Sequence, residues 1–127
     1  MSQTEGKIQQ DLITRFNNTY PELRGLLFSV PNGGYRSKAE ANKLKHEGMT
    51  AGIPDLIFAY RGVCYFIEMK TPTGVLSDEQ KGIIKKLSDQ LIITIVCRSA
   101  ERAMKCINHI IHSDEVSGLY LTAQDER

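Results

Sequence analysis

The fold of this chain is decided by residues 54–70, which read PDLIFAYRGVCYFIEMK. Two apolar runs flank an arginine–glycine turn, a pattern that predicts an antiparallel hairpin. Side chains alternate across a strand, so Glu68 and Lys70 project from one face, and the hairpin returns Asp55 to the side of Glu68. Two carboxylates and an ammonium at the mouth of a sheet suit a hard divalent cation and a phosphate, which indicates phosphodiester hydrolysis.

Helical and strand-like patterns alternate along the rest of the chain. Apolar residues at helical spacing predict amphipathic helices, and short β-branched or apolar runs predict strands. Serine followed three residues later by Glu or Gln, at positions 37 and 77, has the form of a capping box. The expected elements are a helix over 3–18, a strand over 26–30, a helix from 37 to about 47 capped by Gly48, strands over 55–60 and 63–70, a helix from 77 to about 88, a strand over 91–97 and a last helix capped by Ser99.

This order, α-β-α-β-β-α-β-α, predicts the α/β class. The hairpin is antiparallel, whereas the helical crossover that follows favours a parallel strand pair, so we expect a central mixed β-sheet flanked by helices. Residues 1–112 form the expected domain, and residues 113–127 form a C-terminal tail or arm. Within that tail, 116–121 would add a short edge strand or an arm.

Composition is that of a soluble globular protein, with 127 residues, 41% hydrophobic, 24% charged and a net charge of +1. No apolar run approaches the ~20 residues of a membrane span, and the polar first residues are unlike a signal peptide, so we expect a cytoplasmic protein without membrane contact. Cys64, Cys97 and Cys106 are scattered and odd in number, which favours reduced structural thiols over a zinc site.

Two basic clusters stand out against the low net charge. Each is compatible with a solvated helix face or with a track for nucleic-acid phosphates. The first comprises Arg36, Lys38, Lys43 and Lys45, and the second comprises Lys81, Lys85 and Lys86.

The hairpin motif resembles the PD-(D/E)xK nuclease superfamily, with Pro54-Asp55 and Glu68-Met69-Lys70 in its characteristic positions. Further segments are similar to the VRR-NUC family within it, namely PNGG at 31–34, GIPD at 52–55 and EMKTPTGVLSDEQ at 68–80. The resemblance covers roughly residues 3–112. It implies a restriction-endonuclease-like core and a metal-dependent nuclease, often a small stand-alone protein of phages and bacteria.

The resemblance also implies roles for individual residues. It makes Asp55 and Glu68 metal ligands, Lys70 the catalytic lysine and Gln80 an active-site glutamine. Glu5, on the first helix, matches an acid that the family places near the metal. One departure concerns a turn: the family commonly has glycine before its last core strand, where this chain reads Ser-Asp-Gln at 88–90.

Physical chemistry adds detail to these implied roles. Mg²⁺ prefers oxygen ligands and keeps several waters, so two carboxylates and the backbone carbonyl of Met69 supply enough protein ligands. Mn²⁺ is expected to substitute for Mg²⁺. Lys70 beside two carboxylates should stay charged and so orient the attacking water and stabilise the transition state. Gln80 would orient Lys70 or the water, and Glu5 would help to hold a second ion. Two of these residues also have a purely structural interpretation, because an acid such as Glu5 stabilises the helix dipole and Gln80 fits a capping box.

The sequence therefore predicts an Mg²⁺-dependent DNA endonuclease that needs no small-molecule cofactor. Resemblance further implies a homodimer that cuts branched DNA such as four-way (Holliday) junctions, in the cytoplasm of a bacterium or a phage-infected host. Rival interpretations are a nuclease of linear or flap DNA, a non-catalytic DNA-binding module with the same fold, and an RNA-processing enzyme, which the low aromatic content disfavours. Candidate DNA contacts, equally compatible with a solvated loop, are Asn32, Gly33, Tyr35, Arg36 and Lys38.

Overall fold

The computed structural model describes residues 3–31 and 37–113. Its element order confirms the predicted α/β arrangement, with one short addition, a 3-10 helix at Pro21–Leu23 where proline ends the first helix. The helices are α1 (Glu5–Thr19), α2 (Lys38–His46), α3 (Asp78–Asp89) and α4 (Ala100–His112), and the strands are β1 (Leu27–Ser29), β2 (Leu56–Tyr60), β3 (Val63–Met69) and β4 (Thr94–Cys97).

The four strands form one mixed sheet in the order β1-β2-β3-β4. β1, β2 and β3 pair antiparallel, and β3 pairs parallel with β4, as the hairpin and the helical crossover predict. Arg61 and Gly62 both have positive φ, 49° and 81°. A two-residue turn with this left-handed backbone matches the twist of a hairpin, so it fixes the register that brings the start of β2 to the end of β3.

One face of the sheet carries the hydrophobic core. Alternate residues of β2 and β3 are fully buried on that face and pack under α1 and α4. The Phe16 ring of α1, for example, meets Phe58 of β2 edge to face with 5.5 Å between centroids. The opposite face bears Glu68, and α3 packs beside β4 there. The sheet thus separates the core from the face on which the charged residues lie.

The fourth strand begins later than its sequence suggests. A strand over 91–97 is too long, because β4 starts at Thr94 and Leu91 lies 92% exposed with a φ of +64°. The backbone N–H of Ile92 donates to Leu87 C=O and that of Leu91 to Ser88 C=O, which is a Schellman motif at the end of α3. Leu91 therefore occupies the left-handed position that glycine usually holds.

The second helix ends in the same motif with the expected residue. Gly48 has a φ of +105°, its N–H donates to Lys45 C=O, and the N–H of Met49 donates to Leu44 C=O. Capping by Gly48 is thus confirmed, as is the Ser77–Gln80 capping box at the start of α3. The predicted end of α2 and start of α3 therefore hold.

Several further expectations concern the surface and the termini. All three cysteines are free, and Cys97 and Cys106 are buried as structural thiols should be, whereas Cys64 is exposed. Within the described ranges no helix has both the length and the apolar character needed to cross a membrane. The predicted tail after Ser113 and the loop over 32–36 lie outside the described residues.

Candidate active site

Asp55 lies one residue before β2, directly across from Glu68 near the end of β3, because Leu56 pairs with Ile67. Its Oδ2 accepts a hydrogen bond of 2.8 Å from the backbone N–H of Met69. Its carbonyl accepts another of 2.8 Å from the N–H of Val30, after β1. The aspartate is therefore fixed from both neighbouring strands, with its carboxylate beside the carboxyl group of Glu68.

Glu68 is the most unusual residue of the site, a carboxyl group only 1% exposed. Its Oε2 accepts a hydrogen bond of 3.1 Å from Gln80 Nε2, whereas its buried Oε1 accepts no hydrogen bond from a donor among the described residues. Burial raises the pKa of Glu68 to about 9, Asp55 adds to the rise through its charge and a hydrogen bond, and the Lys70 charge opposes it. Without a cation, Glu68 keeps a proton at neutral pH.

Lys70 follows directly after β3 and is only 7% exposed. Its backbone N–H donates to Cys97 C=O at 2.9 Å, which extends the parallel pairing with β4 and keeps its side chain on the Glu68 face. Nζ lies 3.8 Å from Oε2 of Glu5, in the first turn of α1. The Lys70 ammonium thus pairs with the Glu5 carboxylate, and its charge also acts on Glu68. The pair places Glu5 at the edge of the site.

The backbone carbonyl of Met69 is an acceptor that the sheet leaves free. Since the Lys70 N–H points toward β4, the N–H and C=O of Met69 point the other way, toward β2. The observed pairing ends with Leu56 and Ile67, and the same register extended by two residues would set Pro54 opposite Met69. Proline has no N–H to donate, so this carbonyl oxygen lacks the usual sheet partner beside Asp55.

Three oxygen atoms of this site are suitable ligands for a hard divalent cation. The oxygen set consists of the Asp55 carboxylate, Oε1 of Glu68 and the Met69 carbonyl, and a buried carboxylate oxygen without a partner is what a cation would satisfy. The described residues hold no group of three or more His, Cys, Asp or Glu side chains placed to bind a metal. Mg²⁺ needs no such group, because it keeps several waters and binds through one or two carboxylates.

Gln80 uses both ends of its amide. Oε1 accepts from the backbone N–H of Ser77 at 2.8 Å, which completes the capping box, and Nε2 donates to Glu68 at 3.1 Å. The contact with the Glu68 carboxyl was not among the contacts that the sequence predicts for Gln80. Capping of α3 and a contact with the candidate site are compatible, because one side chain makes both.

Arg98 is a residue that sequence reasoning missed. Its Nη1 donates to the carbonyls of Thr71 and Gly74, at 2.8 and 2.6 Å, and so closes the loop that joins Lys70 to α3. A lone arginine after a buried strand gives no signal of this, since both acceptors are backbone atoms distant in sequence. Arg98 therefore sets the path between the end of β3 and the helix bearing Gln80.

Replacing Arg98 with methionine should destabilise the protein by about 1–3 kcal/mol, because two carbonyls lose a charged hydrogen-bond donor. Thermal unfolding should show a midpoint lower by roughly 3–10 °C. Arg15→Met is the matched control, since the bond that Arg15 makes among residues 3–31 and 37–113 is an exposed i,i+4 pair with Asp11, worth ~0.5 kcal/mol or less. Equal midpoints for the two variants would mean that the clamp on the loop adds no stability.

Comparison with known proteins identifies the family. A model of the VRR-NUC domain matches residues 3–101. The chain belongs to the VRR-NUC family. This family is part of the restriction-endonuclease-like nuclease superfamily, and membership indicates a nuclease. None of the curated proteins compared with the sequence matches it.

A solved structure supports the VRR-NUC fold across nearly the whole chain. It is described as a VRR_NUC domain protein, superposes with a TM-score of 0.74 and is 23% identical, covering 96% of this chain and 100% of its own. At that identity the likeness concerns the fold. The predicted restriction-endonuclease-like core is thereby confirmed.

The structure brings together the predicted VRR-NUC site residues that it describes. Asp55, Glu68, Lys70 and Gln80 meet at one end of the sheet, with Glu5 at their edge. Of the candidate DNA contacts, Lys38 is exposed at the start of α2. The others, Asn32, Gly33, Tyr35 and Arg36, lie outside the described residues.

Proposed function

We propose that this protein is an Mg²⁺-dependent DNA endonuclease. The observation that carries the proposal is the buried Glu68 beside Asp55 and Lys70, whose Oε1 accepts no hydrogen bond within the described part of the chain. Such an arrangement disfavours the ionised form of Glu68 in the protein alone, because a buried carboxylate oxygen that accepts no hydrogen bond loses its hydration. A divalent cation would satisfy this oxygen and favour the ionised form of Glu68.

In this proposal Asp55, Glu68 and the Met69 carbonyl hold the ion, and Mn²⁺ can replace Mg²⁺. When bound, the ion supplies a more acidic water and offsets negative charge that develops at phosphorus. Lys70 orients the attacking water and stabilises the transition state electrostatically. Gln80 holds the Glu68 carboxyl, and Glu5 holds the Lys70 ammonium at 3.8 Å or helps to bind a second ion.

The proposed substrate is DNA, with branched forms such as four-way junctions preferred. The protein is proposed to act as a homodimer, because a two-fold axis would present two equivalent sites to two strands. Three exposed lysines follow Gln80 along α3 and would contact phosphates of the DNA backbone beyond the site. They are Lys81, Lys85 and Lys86. The proposed location is the cytoplasm of a bacterium or a phage-infected host.

The test compares labelled four-way junction, duplex, flap and single-stranded DNA in Mg²⁺, Mn²⁺ or EDTA. We expect paired nicks in the junction that require metal, together with a dimeric mass by light scattering. Cleavage of linear or flap DNA alone would keep the nuclease and discard the junction preference.

Three further outcomes are decisive, the last from an equivalent RNA substrate run beside the DNA. Binding of DNA without cleavage in either metal would replace the nuclease with a non-catalytic DNA-binding module. A monomeric mass would remove the main support for junction cleavage, because that support is the pair of symmetric sites. Faster cleavage of an equivalent RNA would reassign the substrate class.

A further inference from the structure

Gly52 makes the closest backbone approach of the glycines in the described ranges. Its φ is +86°, and a β-carbon built on it would collide with the carbonyl oxygen of Glu79 and lie 2.8 Å from the backbone nitrogen of Gln80. Real β-carbons essentially never lie that close to a backbone atom. Glycine at position 52 is therefore required by the space as well as by the backbone angle.

Other glycines separate these two requirements. Gly25, Gly48 and Gly62 also have positive φ, but no atom of the described residues lies within 4 Å of a β-carbon placed on them. They satisfy turns or a helix end, which needs only conformational freedom. Gly52 differs because its backbone packs directly on another backbone segment.

The segment it touches carries a residue of the site. The Glu79–Gln80 peptide belongs to the first turn of α3, and the Gln80 side chain donates to Glu68. Gly52 itself lies shortly before Pro54, a buried residue, and Asp55. One backbone contact thus ties the chain entering β2, which supplies Asp55, to the helix that supplies Gln80.

We propose that Gly52 is a positioning residue that holds Gln80 against Glu68 by allowing this direct packing of backbone on backbone. A side chain at position 52 forces α3 away from the β2 entrance, and the Gln80 amide moves away from Oε2 of Glu68. The functional consequence rests on the proposed nuclease activity, whereas the movement of Gln80 does not. The rival role is a turn glycine without influence on the site.

The experiment compares Gly52→Ala with Gly48→Ala, which introduces the same kind of backbone strain into open space. Displacement of a group that orients the reacting centre by about 1 Å costs roughly 100-fold in rate. We expect Gly52→Ala to lower kcat by about 10- to 100-fold with little change in KM for DNA, and Gly48→Ala to stay within about 2-fold of wild type in both. Equal kcat values for the two variants would overturn the proposal.

A double variant tests whether Gly52 acts through Gln80. If it does, adding Gly52→Ala to Gln80→Ala lowers kcat by no more than about 2-fold further, because the contact to be displaced is already gone. Losses that multiply in the double variant would show that Gly52 acts elsewhere and would overturn the proposal.

A readout without DNA keeps this proposal separate from the nuclease. The side-chain amide resonances of Gln80, followed by NMR, should shift in Gly52→Ala and stay in place in Gly48→Ala. Unshifted resonances in Gly52→Ala would overturn the inference even in an active enzyme. Shifted resonances in a protein that never cleaves DNA would support it and overturn the proposed function alone. If Gly52→Ala does not unfold cooperatively, Gly52→Asn replaces it, since asparagine tolerates positive φ but keeps the colliding β-carbon.

Discussion

Replacing Lys70 with methionine is expected to slow DNA hydrolysis by about 100- to 1000-fold without unfolding the protein. The ammonium is only 7% exposed and lies on the Glu68 face, so it acts where water is scarce and charges interact strongly. Methionine keeps an aliphatic chain in the space beside Gly74 and removes only the charge. The measurement is kcat at saturating metal, with circular dichroism to verify folding.

Saturating metal matters because the same lysine also affects Glu68, a proposed metal ligand. The Lys70 charge lowers the pKa of Glu68, so its removal should raise that pKa further, but it also relieves the repulsion between the ammonium and Mg²⁺, so the affinity for Mg²⁺ is expected to change. Calorimetric titration with Mg²⁺ separates this effect from the loss in kcat. Lys105→Met is the control, because the Lys105 side chain is 73% exposed on α4 and forms an i,i+4 pair with Glu101, so we expect activity within about 2-fold of wild type. A wild-type kcat in Lys70→Met would remove the proposed role of the ammonium.

Features encoded by local sequence are predictable here. The hairpin follows from two apolar runs around Arg61-Gly62, and the placement of Asp55 opposite Glu68 follows from its register. The Ser77–Gln80 capping box and the Gly48 helix end are also local, since each involves hydrogen bonds within a few residues. The hairpin register and the two helix-end motifs are predicted from periodicity and short-range hydrogen bonding, and all of them are confirmed.

The strand expected from position 91 shows where a local pattern misleads. Leu91 to Ile93 are apolar and β-branched enough to suggest a strand, yet the orphan carbonyls of Leu87 and Ser88 at the end of α3 take the backbone N–H groups of Ile92 and Leu91. Hydrogen bonds of the helix end therefore override the apolar pattern.

Contacts between distant segments are the part of the site that one sequence does not reveal. The Arg98 clamp bonds backbone carbonyls, and the Gly52 contact joins two backbones, so neither depends on residue types that pair recognisably. The sequence likewise does not identify the hydrogen-bond partner of the Gln80 amide, because the distance from that amide to Glu68 depends on how α3 docks on the sheet. The residue types of the site can be predicted from the sequence, whereas the positions of their side chains relative to one another depend on tertiary packing.

Replacing Glu68 with glutamine is expected to stabilise the metal-free protein while abolishing its response to Mg²⁺. Folding raises the pKa of Glu68 from an ordinary 4.5 to about 9, chiefly through burial. The folded state therefore keeps a proton that the unfolded chain releases, and stability falls as the pH rises from about 4.5 to about 9. Glutamine never ionises, so it removes this loss.

Thermal unfolding in EDTA at several pH values tests the first half of this prediction. The midpoint of Glu68→Gln should exceed that of wild type by ~5 °C or more at pH near 9, and the difference should shrink toward zero near pH 4.5. Glu101→Gln is the control, because its side chain is 72% exposed on α4 and should give no such pH-dependent difference. A wild-type midpoint for Glu68→Gln at every pH would show that burial of this carboxyl carries no penalty.

Adding Mg²⁺ tests the second half, and here the sign reverses. A ligand that binds the folded state raises the midpoint with its concentration, so wild type should gain stability while Glu68→Gln gains little. Hydrolysis by the variant should fall by about 1000-fold or more, since a neutral amide cannot replace the carboxylate ligand. Increased stability without metal, together with a lost response to metal, would show that the burial of Glu68 is offset by the cation and not by the rest of the fold. An unaltered Mg²⁺ response in Glu68→Gln would remove Glu68 from the ligand set and leave its buried oxygen without an explanation.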